Sequence, residues 1–309
     1  MRYLCALACL LAWSPGAMEA QTPRNKKEDP SQIGKRDVGK GLNFYSLEKE
    51  LALGRQLAQE VQRQAKVVED PLLSEYVNRI GQNLARNSDA RVPFTFQVIE
   101  GDSPNAFALP GGYVFVYTGL IKIASEEAEL AAALAHEVAH VAARHMTRQA
   151  TKSQLAGLAG IPVGVLLGGN WSGILARQGV NAGLSTAFLQ FTRQDEAEAD
   201  FLGVQYLYSA GYDPNGAVSI FEKLASLERK QPGTVARIFS THPMDAARIA
   251  RTEQEIERIL PARSEYVVNT SEYTAVRQRL IDGKTARRPS LVDGEETAEP
   301  GIRRRDRLE

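Results

Sequence analysis

Residues 131–145 read AAALAHEVAHVAARH, and the folding of this stretch decides how the rest of the chain must be arranged. It contains His136-Glu137-Val138-Ala139-His140, an HExxH pattern. Residues four apart share one face of a helix. Both imidazoles can therefore turn toward one zinc ion, each through a neutral ring nitrogen. Glu137 stands beside them, where it can take a proton from a metal-bound water. An alanine-rich core helix with two incidental histidines would look the same locally, so the surrounding chain has to discriminate. Ser125 as N-cap, Glu126 and Glu127 in the first turn, and Arg144 and Arg148 in the last predict one continuous helix. Of the four histidines in the chain, three fall at 136, 140 and 145. His145 lies about half a turn round the axis from His136. It is expected to point away from the metal, either complementing the helix dipole or sitting as a buried polar group.

Composition narrows the class. A chain of 309 residues makes one large domain or two small ones. With 43% hydrophobic and 24% charged residues it has ample material for a core. Its formal net charge of zero argues against nucleic acid as a partner. Arg2, the apolar run Leu4 to Trp13 and the small-residue stretch Ser14 to Ala20 have the layout of a secretory signal. Residues 1–20 are read as that signal, which places the protein in the periplasm or cell envelope. Both cysteines, Cys5 and Cys9, lie within it. A lipid anchor on Cys9 is the alternative reading. Thiolate zinc ligands are thereby excluded from the mature chain, leaving histidine and carboxylate.

Residues 21–45 are polar and read as an arm or linker. Helical periodicity starts at Ser46, with Leu47, Leu51, Gly54, Ala58 and Val61 on one stripe. Asp70-Pro71 opens a second helix with Leu73, Val77, Ile80 and Leu84 on its apolar face. Phe94, Phe96 and Val98 alternate as a half-buried strand should. Asn105 to Leu109 and Tyr113 to Tyr117 predict two more strands joined by a turn at Pro110-Gly111-Gly112. Residues 155–175 carry no charge and many glycines. Three readings stand: a cover over the active site, a peripheral membrane contact, or a transmembrane helix. A helix is predicted from about Leu184 to Ala210, another from Asp213-Pro214 to Lys230, and another from His242-Pro243 to Ile259. Val267-Val268 is read as a small strand and Ser271 to Leu280 as a short helix. Residues 284–309 read as a charged, disordered tail.

A catalytic zinc takes three protein ligands and a water. With no cysteine and one histidine far from the motif, the third ligand is expected from the acidic cluster Asp195, Glu196, Glu198, Asp200. Glu196 and Asp200 are one helical turn apart. Glu196 is assigned to the metal and Asp200 to the outer ring N–H of a ligating histidine. Glu198 is read as part of a solvated face.

The segments SPNAFALPGGYVFVYTGL (103–120), HEVAH (136–140), EAEAD (196–200), AGYDPNGAVSIFEKL (210–224) and THPMDAARI (241–249) together resemble a known family. It is that of the zinc metallopeptidases of HExxH gluzincin type, which include the CAAX prenyl protease, HtpX and periplasmic BepA-like proteases. The resemblance runs from about Ser46 to Ile259. With the elements read above, it implies an α+β fold: a mainly helical metallopeptidase domain, 46–283, with a small three-stranded sheet beside the HExxH helix. It implies one Zn2+ per chain held by His136, His140 and Glu196, with Asp200 in support. His242 matches the family's His-Pro position and is nominated for transition-state hydrogen bonding or a self-inhibiting fourth zinc contact, against a simple helix cap. Arg248 is nominated to orient the acidic cluster.

The expected function is that of a secreted zinc endopeptidase acting on extended or misfolded envelope polypeptides. Glu137 is its base, and substrate adds to a sheet edge offered by Asn105, Ala106 and Phe107 or by Tyr113 and Val114. The alternatives are a latched peptidase-fold protein acting as an envelope binding or assembly factor, and a structural protein with a fortuitous motif. The oligomeric state is not legible.

Overall fold

The computed structural model describes residues 26–158, 191–230, 242 and 246–283. Within these, the chain begins with α1 (Leu47–Gln64) and α2 (Pro71–Arg86), capped by the side chains of Ser46 and Asp70 as their sequences dictate. Strands β1 (Thr95–Ile99), β2 (Ala106–Leu109) and β3 (Tyr113–Tyr117) follow. They make one sheet in the order β1-β3-β2, with β1 parallel and β2 antiparallel to β3. The β2–β3 turn needs backbone that L side chains rarely adopt. Gly111 and Gly112 supply it, at φ 75° and 89°. One sheet face (Phe107, Leu109, Phe115) packs on α1 through Leu57, Ala58 and Val61. The other (Phe96, Val98, Val114, Val116) joins the main core with α2 and the central helix. Phe96 and Val114 are also cross-strand partners in the parallel pair.

The short helix α3 (Thr118–Ile123) delivers the chain to α4 (Glu127–Ala142), the HExxH helix. Here the structure departs from the expected cap. Glu129 turns back to the main-chain N–H groups of Ser125 and Glu126, so the cap position is Glu126. α4 is buried on all sides: Ala128, Leu130, Ala131, Leu134, Ala135, Val138 and Ala139 have no exposed surface. It packs between α6 (Arg193–Ser209), α7 (Asn215–Lys230), α2 and β2. The alanines allow this, because each gives a neighbouring element a close approach.

The predicted continuous helix through Arg148 does not form. The chain leaves the helix at Ala143 and turns at Arg144, whose φ is 58°. It then restarts as α5 (His145–Leu158). A non-glycine residue in the left-handed region costs about 1–2 kcal/mol. Arg144 is held there by Glu50, 2.8 Å away, and by the carbonyl of Tyr45.

α6 starts later than periodicity suggested, at Arg193. Thr192 and Asp195 form a reciprocal capping box, which commits Asp195 to the helix end. α8 (Ala246–Ile259) and α9 (Ser271–Ile281) complete the described elements. Val267 makes only an isolated bridge to Tyr212. The described part of the 21–45 stretch is not loose. Val38 is in the core, and Arg36 is buried, 2.6 Å from Asp89 and hydrogen-bonded to Gln205 on α6. A guanidinium cannot be left uncompensated in such a site, and Asp89 provides the charge.

No helix among the described residues is long and apolar enough to cross a membrane. Residues 159–190, which carry most of the uncharged 155–175 stretch, lie outside the described residues, as do 1–20 and 284–309.

Candidate metal centre

α4 and α6 cross so that side chains distant in sequence converge. They pack tightly at Gly203, where an added Cβ would lie 3.3 Å from the Cα of His136. One turn farther along α4 and two turns back along α6, the ligand atoms meet. His136 Nε2 and His140 Nε2 are 3.0 Å apart. Glu196 carboxylate oxygens lie 3.4 Å from the first and 3.5 Å from the second. His242 joins them, its Nδ1 2.7 Å from Glu196 Oε1 and 3.2 Å from His136 Nε2. Each of these four buried residues offers a ligand atom within 4.8 Å of the others.

The outer face of each imidazole is also engaged. His136 Nδ1 is 3.0 Å from Asp200 Oδ1. Arg248 clamps Asp200 through Nε and Nη2, at 2.9 and 2.7 Å, and reaches Glu196 Oε2 with Nη1 at 2.9 Å. His140 Nδ1 is 3.0 Å from His145 Nδ1, and His145 Nε2 is 3.2 Å from Glu198 Oε2. The ring of Phe191 lies against His140 at 4.0 Å between centroids.

Electrostatics follow from this crowding. Burial opposes a charge on His136, yet the Asp200 and Glu196 carboxylates outweigh it and hold its pKa up at about 10. Burial would raise Glu196 as well, but three imidazoles push its pKa far below the usual carboxylate range. His140 goes the other way: burial, and the charge of its neighbour His136, favour the neutral ring. Burial raises the pKa of Glu137 against the opposing pull of His242 and His136. Such a site competes for a positive charge, either protons or a metal cation that replaces them.

The donor set fits zinc. Two imidazole nitrogens and one carboxylate face a common point while the outer ring nitrogens lie 3.0 Å from Asp200 and from His145, the kind of support that zinc-binding histidines use. Glu137 Oε2 is buried beside that point without a hydrogen-bond partner. His242 Nε2 makes no hydrogen bond either, with Glu137 Oε1 3.4 Å away.

The structure brings together His136, Glu137, His140, Glu196, Asp200 and His242, all nominated from sequence. Arg248, nominated to orient the acidic cluster, is bonded to it. The His242 imidazole sits among the ligand atoms, a position that a simple helix cap does not explain. Two expectations need correction. His145 is a buried polar group, as one of its readings had it, but it does not point away, because the break at Arg144 swings it back under His140. Glu198 is not a solvated face. It is partly buried, receiving bonds from Arg148 and Lys27 as well as meeting His145. The clustering of three histidines within ten residues was the available signal, but the helix break that gives it meaning is tertiary. β3 is paired on both edges, so Tyr113 and Val114 offer no free ladder there. β1 and β2 are the edges of the sheet, and the outer side of β1 is occupied by main-chain bonds from the 66–68 segment, including the Val67–Ile99 bridge, which makes β2 the candidate edge. The Ala108 N–H on β2 also donates toward the Glu137 carboxyl.

The peptidase family M48 model matches residues 71–256. The beta-barrel assembly-enhancing protease of Yersinia pestis is 31% identical over 262 residues, covering 82% of this chain and 52% of that protein. The protein of the same name from Escherichia coli (strain K12) is 31% identical over 234 residues, covering 74% of this chain and 47% of that one. Mitochondrial metalloendopeptidase OMA1 of Schizosaccharomyces pombe is 34% identical over 180 residues, covering 58% of this chain and 52% of its own. The chain thus spans about half the length of these relatives. All four converging side chains lie inside the matched span, and the chain belongs to the M48 family of metallopeptidases.

Proposed function

We propose that the protein is a zinc-dependent endopeptidase that cleaves extended or misfolded polypeptides of the bacterial envelope. The observation that carries this reading is the convergence of His136, His140 and Glu196 around one point, with the unpaired Glu137 Oε2 beside it. These three residues would hold the ion, which when bound supplies Lewis acidity and a water of lowered pKa. Glu137 accepts the proton of the attacking water and passes it to the leaving amine. Its buried, raised pKa suits both halves of that exchange. Asp200 and Arg248 keep His136 oriented.

The outer edge of β2, including Asn105, Ala106 and Phe107, receives an extended peptide as an added strand. Main-chain pairing of this kind reads an open backbone with little sequence choice. An apolar recess between Ala106, Leu120, Ala133, Ile220, Phe221 and Leu224, lying beside Glu137, takes an apolar side chain of that peptide. Assignment to the envelope rests on the N-terminal signal reading and on the relatives named as beta-barrel assembly-enhancing proteases.

One observation favours a second, latched reading. His242 Nδ1 sits among the ligand atoms, and its Nε2 is 3.4 Å from Glu137 Oε1. In that position it occupies the corner that a substrate carbonyl needs. The resting protein would then bind client chains without cutting them, and His242 would have to withdraw for hydrolysis. Cleavage of an unfolded protein by wild type, Glu137→Gln and His242→Ala tests both readings. A peptidase shows activity in wild type that falls at least a hundredfold in Glu137→Gln, and His242→Ala is faster than wild type if the histidine is a latch. Equal inertness of all three, with unfolded protein still bound, leaves only the binding function.

A further inference from the structure

We propose that His145, backed by Glu198, is a positioning residue for His140: it fixes the proton on His140 Nδ1 and so commits Nε2 to the metal. The inference rests on the metal-centre reading above. His140 can ligate through Nε2 only if its proton sits on Nδ1. That N–H has an acceptor only if His145 Nδ1, 3.0 Å away, is bare. The proton of His145 must then be on Nε2, where Glu198 Oε2 waits at 3.2 Å. Once ionised, Glu198 has no proton to donate and can only accept. Arg148 Nη1 and Lys27 Nζ, each 3.2 Å from one of its oxygens, hold it in that form. The hydrogen bonds therefore run in one direction, from His140 to His145 to Glu198.

The backbone supports a dedicated role. Had α4 continued, residue 145 would lie about 140° round the axis from His140, at 100° per residue. The strained turn at Arg144 redirects it, and strain of this kind persists where surrounding contacts enforce it. Glu50 and the Tyr45 carbonyl enforce it here. His145 has no exposed surface, so its ring nitrogens have no water to fall back on. The arrangement differs from the Asp200 support of His136: it supplies an acceptor without placing a formal negative charge against the second ligand. Partners beyond the ligands of a metal site ordinarily contribute 10–100-fold in metal affinity.

The test is the zinc dissociation constant of the full chain, measured by competition with a chelator, alongside the thermal midpoint of the metal-free protein and the visible spectrum of the Co2+-substituted form. His145→Leu keeps apolar bulk but removes the acceptor. It should weaken zinc about 10–100-fold and alter the Co2+ spectrum while leaving the metal-free midpoint near wild type. His145→Asn, whose amide oxygen can stand near the Nδ1 position, should recover most of the affinity. Glu198→Gln should weaken zinc, because its NH2 can favour the wrong His145 tautomer, but less than His145→Leu, because its carbonyl can still accept from His145 Nε2. It also serves as the deciding variant should His145→Leu fail to fold. Wild-type affinity in His145→Leu, or equal loss in the Leu and Asn variants, would overturn the positioning role and leave only packing. If wild type itself binds no zinc, the metal-centre reading falls and takes this inference with it.

Discussion

His136 and His140 are the same residue one turn apart on one helix, yet their outer nitrogens are served differently. The first faces a carboxylate locked by a guanidinium; the second faces another imidazole. A carboxylate partner makes its imidazole more basic and draws charge toward it, as the raised pKa of His136 records. An imidazole partner directs the proton without that charge, and His140 stays below its ordinary value. The pair teaches that a ligand's orientation and its basicity are separable. They are set by elements far apart in the chain, α6 and α8 on one side, and α5 with α6 on the other.

The strongest way to break this asymmetry is Asp200→Ala. It strips His136 of its acceptor and leaves the buried Arg248 without one of its carboxylate partners. Loss of one member of a buried pair costs about 3–5 kcal/mol. Urea titration should show a fall of that order, with zinc held at least tenfold more weakly in chelator competition. Asp200→Asn should keep more of the stability than Asp200→Ala but still lose affinity, because its amide cannot supply the charge. A stable Asp200→Ala with native zinc affinity would mean that the two outer partners do not matter.

Gly203→Ala tests the crossing that lets α6 reach the His136 side at all. Its Cβ would press on the His136 backbone at 3.3 Å, so the helices must part by a few tenths of an ångström. Stability should drop by about 1 kcal/mol, and zinc affinity should fall a few-fold while the fold stays intact. An unchanged dissociation constant would show that the ligands tolerate this displacement.

The smallest effect belongs to Glu255, which adds unwanted negative charge behind Asp200. Burial, and then the Asp200 charge, raise its pKa to about 7, and its Oε2 has no hydrogen-bond partner. A carboxyl that holds its proton more tightly when folded costs stability as pH rises from its unfolded value near 4.5 to about 7. Glu255→Gln should therefore stabilise by about 1 kcal/mol above pH 7, allowing for partial exposure, and by nothing near pH 4. Denaturant midpoints at the two pH values read this directly. Equal shifts at both would assign the effect to packing instead of charge.

Much of the fold was readable because its signals are local. Ser46, Asp70 and Asp70-Pro71 mark helix starts by their own hydrogen bonding, and Phe94, Phe96 and Val98 mark a strand by alternation. The α+β class with a three-stranded sheet was correct for the same reason. Within the site, His136, His140, Glu196 and Asp200 were legible because each pair sits four apart on a helix. The failures were at places where distant contacts override local preference. Arg144 breaks a helix that its neighbours would have continued, because Glu50 and Tyr45 hold it. Glu198 is drawn inward by His145. Arg36, in a stretch that reads as a linker, is buried because Asp89 waits inside.

The sequence by itself determined the chemistry on offer: which side chains carry nitrogen or carboxylate donors, and which of them share a helical face, since helix periodicity is a property of adjacent residues. Only the tertiary structure decided how α4 and α6 cross, which ring nitrogen meets which partner, and that β2, not β3, keeps the edge paired on one side only. These depend on close packing at Gly203 and on buried polar groups such as Arg36 and Gln205 finding one another across 169 positions of chain, and no local pattern encodes an encounter of that kind.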